Sequence, residues 1–337
     1  TGLETVPISV LNGYGLTLYV DGNGSPAGRS LGALSFASTL PTLTLTTGGQ
    51  QKHYNQAANQ VLVPSSFVST GLANGMALTA NNGLGLRLAN DVVFNTVSAN
   101  QGPTFTVTGG SASNATIPLT LTGTLSGGPT GPSAVVMTKA GTGSLVLTGT
   151  NSFGGGGSIV DITNGVLQAA SDAALGDAGN VIRISNTNVS YGFRASGTFT
   201  SGRTIMTNAA SSGLMVTEGA TLTLTAPLVH SAVTNAWTKS NSGTLVLGGD
   251  NTGWNGVLTI NGGMVVAANS NALGSTTGGV AFNAVETALG LSGGVTIADA
   301  VTGFQSTGVN YGGGIVGLAG NNTLSGAVTM TAASAVG

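Results

Sequence analysis

The chain has 337 residues and a net charge of −2, and only 5% of its residues are charged, against about 25% in an ordinary soluble domain. Its ten acids and eight bases form no basic cluster that could neutralise phosphates, which excludes a nucleic-acid partner, and no cysteine is present for disulfides or thiolate metal sites. No transmembrane segment is expected, because no run approaches the roughly 20 apolar residues of a membrane helix, and a hydrophobic fraction of 41% points to a folded chain.

From the first residues onward the pattern is one of short strands. "LTLYV" (16–20) and "TLTLT" (42–46) alternate apolar and small polar residues at period two. Between them lie three motif matches that read as turns. "DGNGS" (21–25) sets Asp21, Asn23 and Ser25 at calcium-loop spacing, but Pro26 stands where that loop needs glycine and Gly32 where it needs glutamate. "GNGSPA" (22–27) imitates a dinucleotide fingerprint, and "GRSLG" (28–32) a nucleophile elbow around Ser30. Neither precedes a helical pattern, which both chemistries require. The stretch "GGQQKHYNQAANQ" (48–60) then breaks the strand rhythm, and Lys52, His53 and Tyr54 in it form a candidate contact loop. Residues 1–71 are taken as a divergent N-terminal β segment, a candidate docking region.

The same style continues over residues 72–337, through "TFTVTG" (104–109), "PLTLTGTL" (118–125), "SLVLTG" (144–149), "TLTLTAPL" (221–228), "TLVLGG" (244–249) and "VLTING" (257–262). Within it "TKAGTGSLVLTG" (138–149) recurs as "TKSNSGTLVLGG" (238–249), 238 − 138 = 100 positions later. The match extends over 138–176 and 238–274, with a partial third copy at 320–337. Copies embedded in a continuous strand-turn chain predict stacked coils of roughly 20–25 residues. Leu145, Leu147, Ile162, Leu167, Leu245, Leu247 and Ile260 then point inward as core. Gly149, Asn151, Gly249, Asn251 and Asn322 take the corners, where positive φ is needed and an Asn side chain can bond a neighbouring turn. Lys139 and Lys239 recur by position and are expected to act as conformational or edge-charging residues.

Lys139, Gly141, Gly143, Leu145, Leu147, Gly149, Asn151, Phe153, Ile162, Gly165 and Leu167 resemble the autotransporter-associated β-strand repeat, K-x-G-x-G-T-L-x-L-x-G-x-N-x-Y-x-G-x-T-x-I-x-x-G-x-L. Lys239, Gly243, Leu245, Leu247, Gly249, Asn251, Ile260 and Gly263 give the second copy, which departs from the pattern at Asn241. The resemblance implies an all-β fold, a right-handed parallel β-helix (β-solenoid), exported and displayed at or beyond the cell surface.

Three functional classes follow. The first is a non-enzymatic extracellular structural protein: a stalk, an adhesin scaffold or a self-assembling fibre subunit, with no cofactor. Its partners would be further copies docked head-to-tail or the continuation of a longer chain, since the chain opens at Thr1 without a methionine and stops inside a repeat. Its neutral Ser, Thr, Asn and Gly surface offers little charge repulsion to such contact. The second is a polysaccharide lyase or glycosidase, which needs converging carboxylates; Asp172 and Asp177 are the nearest acidic pair and read as solvated corner residues. The third is a module binding polysaccharide or a host surface through exposed aromatics around Trp237, Trp254 or Tyr191, with Phe193 and Arg194 beside the last.

Overall fold

The computed structural model describes residues 91–94, 100–109, 118–231 and 235–337, and the backbone of nine strands between Ile8 and Leu88. The described residues are all-β, and their parallel sheets stack as a β-solenoid. Every pairing between these strands is parallel, including those on either side of position 71, where 43–47 pairs with 76–80. The candidate loop residues Lys52, His53 and Tyr54 lie outside the described residues, as do the side chains of Asp21, Asn23, Ser25 and Ser30. The chain forms two compact units, Thr1–Ala169 with Ala173–Asn180, and Ala170–Asp172 with Val181–Gly337.

In the first unit, strand Pro118–Leu121 pairs with Ser144–Leu147, which pairs with Val166–Ala169. Period-two alternation turns this register into columns: Leu119, Leu145 and Leu167 stand one above another, each 0% exposed, while Val146 on the opposite face is half-buried. A second ladder joins Thr104–Gly109, Val135–Ala140 and Ile159–Ile162, and a third joins Val92–Phe94 to Leu125–Gly127. Phe94 fills the space between ladders, its ring centroid 5.7 Å from Phe105 and 5.2 Å from Phe153. Each buried Leu or Phe contributes about 1.5–3 kcal/mol, so these columns are the main source of stability.

The second unit repeats the scheme. Its six-stranded ladder runs Phe199–Ser201, Thr221–Leu224, Thr244–Leu247, Gly263–Ala267, Thr287–Ser292 and Ile315–Ala319. Leu222, Leu245, Val265 and Leu289 form one fully buried column along it, and Leu224, Leu247, Ala267 and Leu291 the next. On another face Leu258–Ile260, Val280–Phe282, Val301–Phe304 and Val328–Met330 pair in turn, with Phe282 edge-on to Phe304 at 5.1 Å. At the Val328–Met330 rung Val328 and Met330 are 42% and 58% exposed, whereas Val301 and Phe304 beneath them are 0%.

Rung length is not constant. Val265 lies 265 − 245 = 20 positions beyond Leu245, its partner, while Thr138 lies 138 − 104 = 34 beyond Thr104. The expected 20–25 residues holds for some steps and is exceeded in others, because only the paired strands must match in length.

Candidate functional site: buried polar corners and an acidic groove

The polar residues that the repeat writes twice are inside. Lys139 and Lys239 are each 0% exposed, which corrects their reading as edge-charging residues. The Lys139 Nζ donates to the carbonyls of Ala140 (2.7 Å), Gly141 (2.7 Å) and Asn164 (3.0 Å), so one side chain ties its own corner to the next rung. The Lys239 Nζ donates to Asn241 O (2.6 Å) and Gly262 O (2.7 Å) in the same way. The chain must pass through positive φ to aim these carbonyls inward, and it does so at Gly141 (φ 73°) and at Asn241 (φ 63°). Asparagine is the non-glycine residue that best tolerates this region, which accounts for the departure from the repeat at that position. Burial strips water from both ammonium groups and pushes each down to about 7.

The corner residues Gly149 and Gly249 serve a different purpose from the one expected. Neither has positive φ. Glycine is required there because a Cβ on Gly149 would lie 2.5 Å from Gly123 O, and one on Gly249 2.5 Å from Ala226 O. Asn151, Asn251 and Asn322 also lie outside positive φ, and it is their side chains that matter. Asn151 Oδ1 accepts from Leu125 N (2.8 Å) while its Nδ2 donates to Ala174 O (2.6 Å), so one amide touches the rung below and the rung above. Asn251 does the same with Leu228 N (2.7 Å) and Ala272 O (2.6 Å). Asn322 accepts from Gly294 N and Val295 N (both 3.0 Å) and donates to Leu291 O (3.0 Å). Asn180, which the sequence did not single out, accepts from Gly155 N (2.9 Å) and donates to Phe153 O (2.9 Å).

The core leucines and isoleucines named from sequence are all within 1% of full burial. The carboxylate pair fares differently. Asp172, at the start of the short 3-10 turn Asp172–Leu175, is not simply solvated: Arg203, 4% exposed, grips it with Nε–Oδ1 at 2.9 Å and Nη2–Oδ2 at 3.1 Å and also reaches its backbone carbonyl. Asp177 accepts from Gly179 N instead, within the other unit. Because the arginine is the more buried partner, Asp172→Ala should cost about 2 kcal/mol and Arg203→Met clearly less, a ranking that urea denaturation of the two variants measures.

The tryptophans form no platform. Trp237 and Trp254 are 0% and 1% exposed, Phe193 is 1% exposed, and the Trp254 Nε1 donates to Asn235 O at 2.6 Å. Tyr191 and Arg194 are half-buried, the latter with its pKa lowered by burial.

A groove of about 510 Å³ crosses the corners of the second unit, lined by Glu218, Gly219, Ser242, Gly263, Glu286, Gly308, Val309 and Asn310. Glu218 and Gly219 are the middle of a turn closed by Ala220 N to Thr217 O (3.1 Å), with Gly219 at φ 72°. At the far end buried Ser306 fixes the loop, its Oγ accepting from Thr287 N (3.1 Å) and Gly308 N (3.0 Å). Sequence reasoning missed both glutamates, since they stand 68 positions apart (286 − 218) and only the stacking aligns their corners. Thr221, Thr244, Met264 and Ala288 pair in succession, which puts the two corners three rungs, or about 14 Å, apart along the stack. Among the described residues no group of three or more His, Asp or Glu side chains could hold a metal ion, and no helix is long and apolar enough to cross a membrane. Comparison of the chain with family models, with curated proteins and with solved structures returned no match in any of the three.

Proposed function

We propose that the chain is a non-enzymatic structural protein of the bacterial exterior, a β-solenoid serving as a stalk, adhesin scaffold or self-assembling fibre subunit. One observation carries this reading: the functional groups of the residues that the repeat writes twice are consumed by stacking. Lys139 and Lys239 close corners, Asn151 and Asn251 bond successive rungs, and the paired leucines fill columns. A repeat whose lysine and asparagine side chains are spent inside the coil is suited to bearing load, with ladder hydrogen bonds and the apolar columns within each unit resisting extension. The resemblance of the motif to passenger-type surface repeats supports export and surface display.

The opened columns at Leu324, Val328 and Met330 are suited to receive a further rung, from a continuing chain or from a second copy docked head-to-tail. Negative-stain electron microscopy of the purified chain at rising concentration tests this. Straight particles that lengthen by end-on joining are expected. Globular particles, or rods that join only side by side, would overturn the proposal.

A further inference from the structure

The groove over Glu218 and Glu286 is not used by the stacking that explains the rest of the chain. Both side chains are exposed, and among the described residues neither carboxylate has a hydrogen-bond or ion-pair partner. No basic residue lines the groove, and the Lys239 Nζ is occupied by the carbonyls of Asn241 and Gly262, the sequence neighbours of the lining residues Ser242 and Gly263. The floor itself is stripped of side chains at Gly219, Gly263 and Gly308, and Ser242 and Asn310 supply hydrogen-bonding groups along it. Its shape is set by Ser306 and by the Thr217–Ala220 turn, so it exists before any ligand arrives.

Four chemistries can be weighed against this arrangement. A metal ion needs several oxygen ligands within about 2.6 Å, and among the described residues no group of three or more His, Asp or Glu side chains could hold one. A neutral sugar polymer would seek aromatic faces, and the lining contains none; an anionic one would be repelled. A bare polyamine satisfies the charges but leaves the volume of the groove and its Ser242 and Asn310 groups unused. An extended polypeptide advances about 3.4 Å per residue, so side chains four residues apart are separated by about 14 Å and lie on one face. We infer that this groove binds an extended basic peptide segment of a partner protein, with two Lys or Arg side chains four residues apart pairing with Glu218 and Glu286.

The test uses the full chain and a fluorescent octapeptide of Ser and Thr carrying two Lys four positions apart, followed by anisotropy at low ionic strength. Binding is expected that weakens as salt is added, because the pairs are exposed. The double variant Glu218→Gln, Glu286→Gln should bind about tenfold more weakly, and so should wild type with a peptide whose lysines are adjacent. Both substitutions are at exposed positions, and an unchanged circular dichroism spectrum and melting curve would confirm that the fold is retained. Equal binding by wild type and the double variant, indifference to lysine spacing, or no binding at millimolar peptide would each overturn the inference. Displacement of the peptide by spermidine at lower concentration than by unlabelled peptide would overturn the peptide assignment in favour of a polyamine.

Discussion

Lys139→Ala is expected to destabilise the chain by about 4 kcal/mol. The substitution removes three methylenes from a fully buried side chain, at about 0.8 kcal/mol each, and leaves the carbonyls of Ala140, Gly141 and Asn164 without their donor. Loss of a desolvated charge offsets part of this. Lys139→Met, which restores most of the volume, should cost about half as much, because only the unpaired carbonyls remain. The same lysine imposes a pH dependence. Its pKa is about 7 in the fold and about 10.4 in the unfolded chain, so between these values the unfolded state binds more protons and stability rises with pH. Below pH 7 the group is charged in both states and contributes no slope. Lys239 behaves alike. Urea denaturation at pH 7, 8 and 9 should therefore show increasing stability, by up to about 1.4 kcal/mol per pH unit for each lysine, and the slope should vanish in the Lys139→Met, Lys239→Met double variant. A wild-type stability that is flat or falls over this window would refute the buried-ammonium account.

Asn251→Ala should cost about 3 kcal/mol, since it orphans a buried donor and a buried acceptor at once, Leu228 N and Ala272 O. Its side chain is almost fully enclosed, so water cannot readily replace it. Asn251→Asp is no rescue: the carboxylate still accepts from Leu228 N but faces Ala272 O with a second acceptor. Amide hydrogen exchange gives a local readout, in which Leu228 should exchange about a hundredfold faster in the alanine variant while amides several rungs away change little. Unchanged protection at Leu228 would mean that the amide bridge does not hold these rungs together.

What the sequence made legible was whatever depends on near neighbours. Period two alone put Leu145 and Leu147 on one face and Val146 on the other, and the recurrence of the motif implied parallel stacking. The bonding of neighbouring turns by asparagine also follows from short polar side chains at corners. The interior place of Lys139 does not, because one of its three acceptors, Asn164 O, is 25 positions away and becomes a neighbour only after stacking. Gly149 illustrates a subtler failure. A corner glycine was expected to relieve backbone strain, and its actual constraint is the approach of Gly123 O from the adjacent rung. Trp237 and Trp254 look like surface candidates in a chain so poor in aromatics, yet hydrophobic area drew both inside. Glu218 and Glu286 have nothing in common in the sequence, and the groove joining them is a product of rung geometry.

The unequal spacing between paired strands has an evolutionary consequence. A step of 34 residues and one of 20 deliver their strands to the same kind of parallel ladder, so surplus length is absorbed outside the paired segments without shifting any column. Genetic insertions between strands are thus nearly invisible to the interior. A lineage could graft new recognition loops onto this scaffold one at a time, and an engineer could use the same permissive sites to display foreign epitopes.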